Sequence, residues 1–193
     1  MRFALIAVAL CCLAAPLRAD ARWQLDCTTS QISTVTLRGV EGAGNYGYMT
    51  FTVTNRTGRE VPLSFGVWAS TDVPGRLYRG TIDPVVKAAV EKATGKTFKS
   101  LTEIRGEKLA DGSSIDVIVS FGKLDPNVDL LDVHLQGLVD RVFRDKGKTY
   151  VEDKVLVLEA ARPGDEFSRQ YDLVKVKKVK WVALEPAKEL KRA

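Results

Sequence analysis

Between residues 48 and 67, apolar side chains recur at every second position. Met49, Phe51 and Val53 share one face of an extended segment, and Tyr48, Thr50, Thr52 and Thr54 share the other. After Asn55-Arg56-Thr57-Gly58 the pattern resumes with Val61, Leu63, Phe65 and Val67. Successive side chains of a strand point to opposite faces, so this segment reads as a β-hairpin with one apolar face. Pro62 has no N–H for a ladder and places the second strand near an edge. The same period returns at Ile115, Val117, Val119 and Phe121, after the turn Ala-Asp-Gly-Ser-Ser. It returns again at Leu131, Val133 and Leu135, which alternate with Asp132, His134 and Gln136. Residues 31–38 are rich in Thr, Val and Ile and read as a further strand. Residues 154–160, KVLVLEA, are a nearly continuous apolar run, as expected of a central strand covered on both faces. The glycine-rich segment 41–47 reads as a loop, and Asp145-Lys146-Gly147-Lys148 as a turn.

The last strand, YDLVKVKKVKWVAL (171–184), breaks its own alternation at Lys177-Lys178. A β-bulge there sets two successive side chains on roughly one side. Val174, Val176, Val179 and Trp181 then face the core, and Lys175, Lys177, Lys178 and Lys180 face water. Lysines with a bulge are also a device by which an edge strand avoids pairing with other chains. Pro186 ends the strand.

One segment has helical punctuation. Asp83 is a good N-cap, Pro84 suits the first helical position, VVKAAVEKAT follows, and Gly95 stands where a C-cap glycine belongs. Val86, Ala89, Val90 and Ala93 form a narrow apolar stripe, which predicts a short helix over about 84–94 lying on a sheet edge or the end of a sandwich.

Seven to nine strands at even spacing, one helix and no alternation of strand and helix imply an all-β, antiparallel β-sandwich in a single domain. The segment YMTFTVTNRTGREVPL resembles the strand–turn–strand of secreted bacterial immunoglobulin-like domains. The resemblance covers about a tenth of the chain. It implies an immunoglobulin-like sandwich with one short inserted helix, and carries over no catalytic residue. The Cys…Trp…Cys spacing of true immunoglobulin domains is absent.

The N-terminus adds a destination. Arg2, the apolar run Ala4 to Ala15 and the small residues Ala19 and Ala21 together read as a signal peptide over 1–21, cleaved after Ala21 or, second, after Ala19. The run is short of the roughly 20 residues a membrane span needs. The expected mature chain is one domain over 22–185 with a frayed basic tail over 186–193, periplasmic or secreted. The whole sequence holds 29 Lys and Arg against 24 Asp and Glu, for a net charge of +5. Without Arg2, Arg18 and Asp20 the balance is +4. Cys11 and Cys12 also fall within the signal, so Cys27 alone remains and no intramolecular disulfide can form. Stability must then come from the core.

Several short motifs lack the physical context that their chemistry requires. Ala93-Thr94-Gly95-Lys96-Thr97 resembles the end of a phosphate loop, but Gly95 follows a helix, where carbonyls would repel phosphate. Ser120-Phe121-Gly122-Lys123 matches S-x-x-K but ends a strand rather than opening a helix. Asp125-Pro126-Asn127-Val128-Asp129 mimics the start of a calcium loop, with Leu130 in place of its glycine and Gln136 at the twelfth position. His134 is the only histidine; it reads as a solvent-facing strand residue, with no nucleophile elbow to make it part of a triad. Cys27 reads as a small buried side chain. Asn55-Arg56-Thr57 is a glycosylation sequon in an accessible turn.

The function expected from these residues is a non-catalytic exported module acting in binding or as an envelope accessory. The alternatives are a small exported hydrolase with an unrecognised site and a structural subunit that pairs through an edge strand. No catalytic, cofactor-binding or metal residue is assigned, and no cofactor is expected. Lys175, Lys177, Lys178 and Lys180 form a candidate anion-contact stripe, with an unknown protein or an anionic envelope polymer as partner. Nucleic acid is disfavoured, because basic residues are not interleaved with aromatic ones. No segment after the signal is apolar enough to cross a membrane.

Overall fold

The computed structural model describes residues 21–39, 42–152, 154–162, 174–184 and 188–189. In chain order its strands begin with β1 (Ala21–Gln24), β2 (Asp26–Thr29), β3 (Ser33–Gly39), β4 (Gly42–Thr54), β5 (Val61–Pro62), β6 (Gly66–Thr71) and β7 (Leu77–Arg79). The helix α1 (Pro84–Thr94) follows, then β8 (Lys99–Ser100), β9 (Lys108–Leu109), β10 (Ser114–Lys123) and β11 (Leu130–Gln136). The last five are β12 (Val139–Asp145), β13 (Lys148–Glu152), β14 (Lys154–Ala161), β15 (Lys175–Ala183) and β16 (Lys188–Glu189).

The fold is mostly β with one short helix, an all-β sandwich. One five-stranded sheet runs β2-β4-β10-β8, with β3 also on β4; the other runs β15-β14-β11-β6-β7. Both send apolar side chains into one core. Met49, Phe51 and Val53 of β4 and Val117, Val119 and Phe121 of β10 come from the first sheet. Val67 and Ala69 of β6, Leu131, Val133 and Leu135 of β11, and Leu156 and Leu158 of β14 come from the second. The alternation read from the sequence therefore chose the inward face correctly on β4, β10 and β11, and at Val67 of β6. Strand β14 lies between β15 and β11 and is buried at Val155, Leu156, Val157 and Leu158, as its apolar run predicts. Pairing is antiparallel except between β8 and β10.

Two expectations about strands fail, for identifiable reasons. Residues 42–47 of the loop expected over 41–47 instead form the first part of β4, which pairs along β3 from Ser33↔Tyr48 to Gly39↔Gly42. Its glycines are spacing devices. A Cβ on Gly47 would lie 2.6 Å from the Leu124 side chain, so only glycine lets that leucine reach the strand. Tyr46 is fully buried and donates its hydroxyl to the Gly42 carbonyl. The expected hairpin also does not form. The edges of β4 are already occupied by β2 and β3 on one side and β10 on the other. The chain after Asn55 turns away, and β5 pairs with β9 instead, Val61↔Leu109. Pro62 is exposed on that two-stranded ribbon, consistent with its missing donor.

Asn55 directs the departure. Its side-chain N–H groups donate to the carbonyls of Arg59 and Leu109, and its Oδ1 accepts from the N–H and hydroxyl of Thr57. The residue is 0% exposed. The sequon asparagine is thus not accessible, and its amide nitrogen is committed within the fold.

Helix α1 starts and stops where its caps predict. Asp83 Oδ1 accepts from the N–H of Val85 and Val86, and Gly95 takes a left-handed φ of 67° while donating to the Glu91 carbonyl. Its position differs from the expected edge: Val86 and Val90 pack with Tyr46, Phe98 and Ile118 in a second, smaller cluster on the outer face of the first sheet.

A further sheet, β1-β12-β13-β16, has little sequence signature. VDRVFRD (139–145) follows neither period cleanly. The expected turn at 145–148 does close its β12–β13 hairpin, with positive φ at Lys146 and Gly147 as a primed turn requires. Of the expected tail, Lys188 and Glu189 pair with Val151 and Tyr150. Its other residues, and the expected signal segment up to residue 20, lie outside the described residues. Among the described residues, no helix is long and apolar enough to cross a membrane.

Candidate functional site

The outward face of the second sheet gathers the polar side chains that alternate with its core residues. Direct cross-strand pairing builds two rows. One runs Arg79, Trp68, His134, Val157, Lys180. The next runs Leu77, Ser70, Asp132, Glu159, Lys178. Residues opposite one another lie within side-chain reach, so each row is a line of contacts.

His134 is the most constrained member. Its ring stacks on Trp68 with centroids 5.1 Å apart and planes 3° from parallel. Its Nε2 lies 3.2 Å from Ser70 Oγ. The serine hydroxyl donates to this nitrogen when the neutral ring carries its proton on Nδ1. Burial lowers the His134 pKa below its ordinary value; Asp132 opposes the shift and Lys180 adds to it. The solvent-facing histidine expected from the sequence is therefore half-buried and held on two sides. Ser70 gave no local signal in the sequence, because it is brought to His134 from another strand 64 residues away.

Beside this constellation lies a cavity of about 400 Å³, lined by Ser70, Asp72, Leu130, Asp132, Glu159 and Lys177 among others. Its rim carries both signs of charge. Asp72 Oδ1 accepts from the N–H of Asp129 and Leu130. Glu159 is bound by Lys180, which lowers the pKa of the carboxyl and raises that of the amine. Lys177 reaches the rim through the bulge expected from the sequence. Glu159 pairs with Lys178 and Ala160 with Val176, so Lys177 is the extra residue and has no opposite number. A bulge re-aims a side chain in this way.

The four lysines of the stripe are all exposed. Their acidic neighbours Glu159 and Asp132 stand in the same row as Lys178, so the face is mixed in charge rather than uniformly positive. The valine side of β15 is oriented as expected, since Val179 and Trp181 lie opposite the buried Leu158 and Leu156. Burial falls away along the strand, however. Val174 is 0% exposed, whereas Val179 is 51% and Trp181 37% exposed. As the edge of its sheet, β15 extends past the side chains that cover β14.

The other motif residues have structural partners. Gly95 is the helix C-cap. Ser120 is buried, and its Oγ donates to the Gly47 carbonyl and accepts from the Gly122 N–H. In the loop 125–129, Asp125 Oδ2 meets the Arg76 guanidinium at 2.7 Å, and the carbonyls of Asp125 and Pro126 accept from Arg162. Two guanidinium groups thus stand where a calcium ion would need free oxygens. The described residues hold no group of three or more His, Cys, Asp or Glu side chains able to share a metal ion. Cys27 is a free thiol packed against the core, and burial pushes its pKa up to about 12. So high a value keeps the sulfur as an unreactive thiol.

The fold and this face together define a two-sheet β-sandwich with a charged, aromatic-anchored platform on one outer face. Compared with protein-family models, characterised proteins and solved structures, the chain matches none.

Proposed function

We propose that this chain is a non-catalytic exported binding module, an immunoglobulin-like sandwich that holds a small polar ligand on the outward face of its second sheet. The observation that carries the reading is the cavity between β6, β11, β14 and β15, where Asp132 and Lys177 present opposite charges on one rim. Neither side chain makes an ion pair among the described residues, so each is available to a ligand. A ligand with an ammonium and a carboxylate, such as an amino acid or short peptide, would satisfy both. Strands β6, β11 and β14, fixed by ladders on both sides, give a rigid platform, which lowers the ordering cost of binding.

The Ser70–His134 contact favours a second reading, a hydrolase. Against it stands the geometry of the sheet. The backbone N–H groups of β6, β11 and β14 lie in the sheet plane and are used by the ladders. An acyl-transfer site needs such donors aimed at the developing oxyanion, out of that plane.

Two measurements separate these readings. A thermal-shift screen with amino acids and short peptides is expected to find a stabilising ligand whose effect disappears in both Asp132→Asn and Lys177→Gln. A ligand whose shift survives both changes places the site elsewhere. Incubation with a fluorophosphonate probe is expected to leave Ser70 unlabelled. Labelling that depends on His134 would overturn the non-catalytic reading.

A further inference from the structure

The two edges of the second sheet are treated differently. Strand β15 carries four exposed lysines and a bulge, both of which discourage pairing. Strand β7 has a regular register and no lysine. Beside it runs a groove of about 860 Å³ between β7 and the turn 101–106. Trp68 and Leu101 contribute apolar surface to it, and Leu77 stands at its rim 53% exposed. Arg79 and Arg105 line the groove as well, and no carboxylate does. Neither guanidinium makes an ion pair among the described residues.

The backbone of β7 points its free groups into this space. Gly80 N–H donates to the Val67 carbonyl, which sets the phase of the ladder. In an antiparallel pair, hydrogen-bonded and non-bonded positions alternate. Tyr78 therefore bonds inward to Ala69, and the N–H and C=O groups of Leu77 and Arg79 point outward. A short strand can use those four groups. Its side chains on the outward face, which Arg79 shares with Trp68, would meet that arginine with carboxylates, and the alternate ones would turn to the core side, where Leu101 packs, with apolar groups.

We propose that the β7 edge is a strand-addition site for an extended peptide segment of another protein, one that alternates apolar and acidic residues. This surface is separate from the rim of Asp132 and Lys177 on the same sheet.

The probe is a fluorescein-labelled ten-residue peptide alternating Val and Glu, followed by anisotropy on the full chain. The expected result is saturable binding that weakens at least tenfold in Arg79→Glu/Arg105→Glu, with unchanged circular dichroism. A matched peptide with Lys for Glu should bind at least tenfold more weakly. So should the Val–Glu peptide N-methylated at every second residue, since methyl groups remove the strand's hydrogen bonds but keep its charge. Asp132→Asn should bind the peptide as the wild type does. Absence of binding, equal binding of the lysine or N-methylated peptide, or indifference to the arginine changes would each overturn the proposal. So would sedimentation showing a dimer that Arg79→Glu/Arg105→Glu dissolves, which would make a second copy the occupant.

Discussion

Two residues show how burial changes what a side chain is worth. The His134 ring is held neutral by its surroundings, below the ordinary value of 6.5. As pH falls through 6.5 the unfolded chain takes up a proton first, and the folded chain resists until its lower pKa is reached. Stability is therefore full above about pH 6.5 and declines below it, by at most about 1.4 kcal/mol per pH unit for one proton. Urea midpoints measured from pH 7.5 to 5 should fall in wild type and stay flat in His134→Gln. A slope that survives the substitution would show that another group is responsible. The carboxylates act in a lower window. The hydroxyl of Ser100 and the amine of Lys87 hold Glu103 down at about 2, so its contribution is lost only as pH falls below 4.5. Asn55 makes the complementary case. Asn55→Ala leaves the Leu109 and Arg59 carbonyls without their donor, at roughly 1–3 kcal/mol for a buried polar group left unsatisfied. Thr57→Ala removes only a partly exposed partner, so a urea midpoint drop as large as that of Asn55→Ala would show that the asparagine is not the organiser of this turn.

At the scale of one element, β15 separates orientation from burial. Its bulge lies at the expected place and its valines point the expected way, but only the N-terminal end is covered. Val174→Ala should cost roughly 2 kcal/mol as a core truncation, and Val179→Thr should lie within about 0.5 kcal/mol of wild type, as exposed positions do. Changing Lys175, Lys177, Lys178 and Lys180 together to Gln should leave the melting temperature nearly unchanged, since exposed ion pairs contribute about 0–1 kcal/mol. Calorimetry on the three variants checks the order. If Val179→Thr proved as costly as Val174→Ala, the edge would be covered where the structure shows it open. The element also shows what was legible from the chain: the slip at Lys177-Lys178 announced a bulge, while the fading of burial beyond it depends on how far neighbouring strands reach.

At the scale of the whole molecule, the two sheets share one core. Phe51 of the first sheet meets Phe65, on the segment leading into the second, edge to face at 5.9 Å. Neither sheet can keep its apolar face dry alone, so unfolding should be a single transition. In a Trp23→Phe background, tryptophan fluorescence reports Trp68 and Trp181, both in the second sheet, and far-UV circular dichroism reports all strands. Their urea curves are expected to superimpose; separate midpoints would mean that the sheets unfold independently.

Strand identity, the inward face of each strand, the caps of α1 and the bulge of β15 are local matters. They follow from side-chain period, from residues able or unable to take a given φ, and from donors a proline lacks, all of which act within a few residues. Partners are a different kind of fact. Whether Val61 pairs across a turn with β4 or with Leu109 depended on which edges of β4 were already taken. The glycines of 42–47 read as a loop because the strand that completes them and the leucine that needs their space are not adjacent in the chain. Ser70 and His134 carry no motif between them, and only the pairing of β6 with β11 brings them to 3.2 Å. Non-local pairing is set by competition among all apolar faces for one core, and no short window of sequence contains that competition.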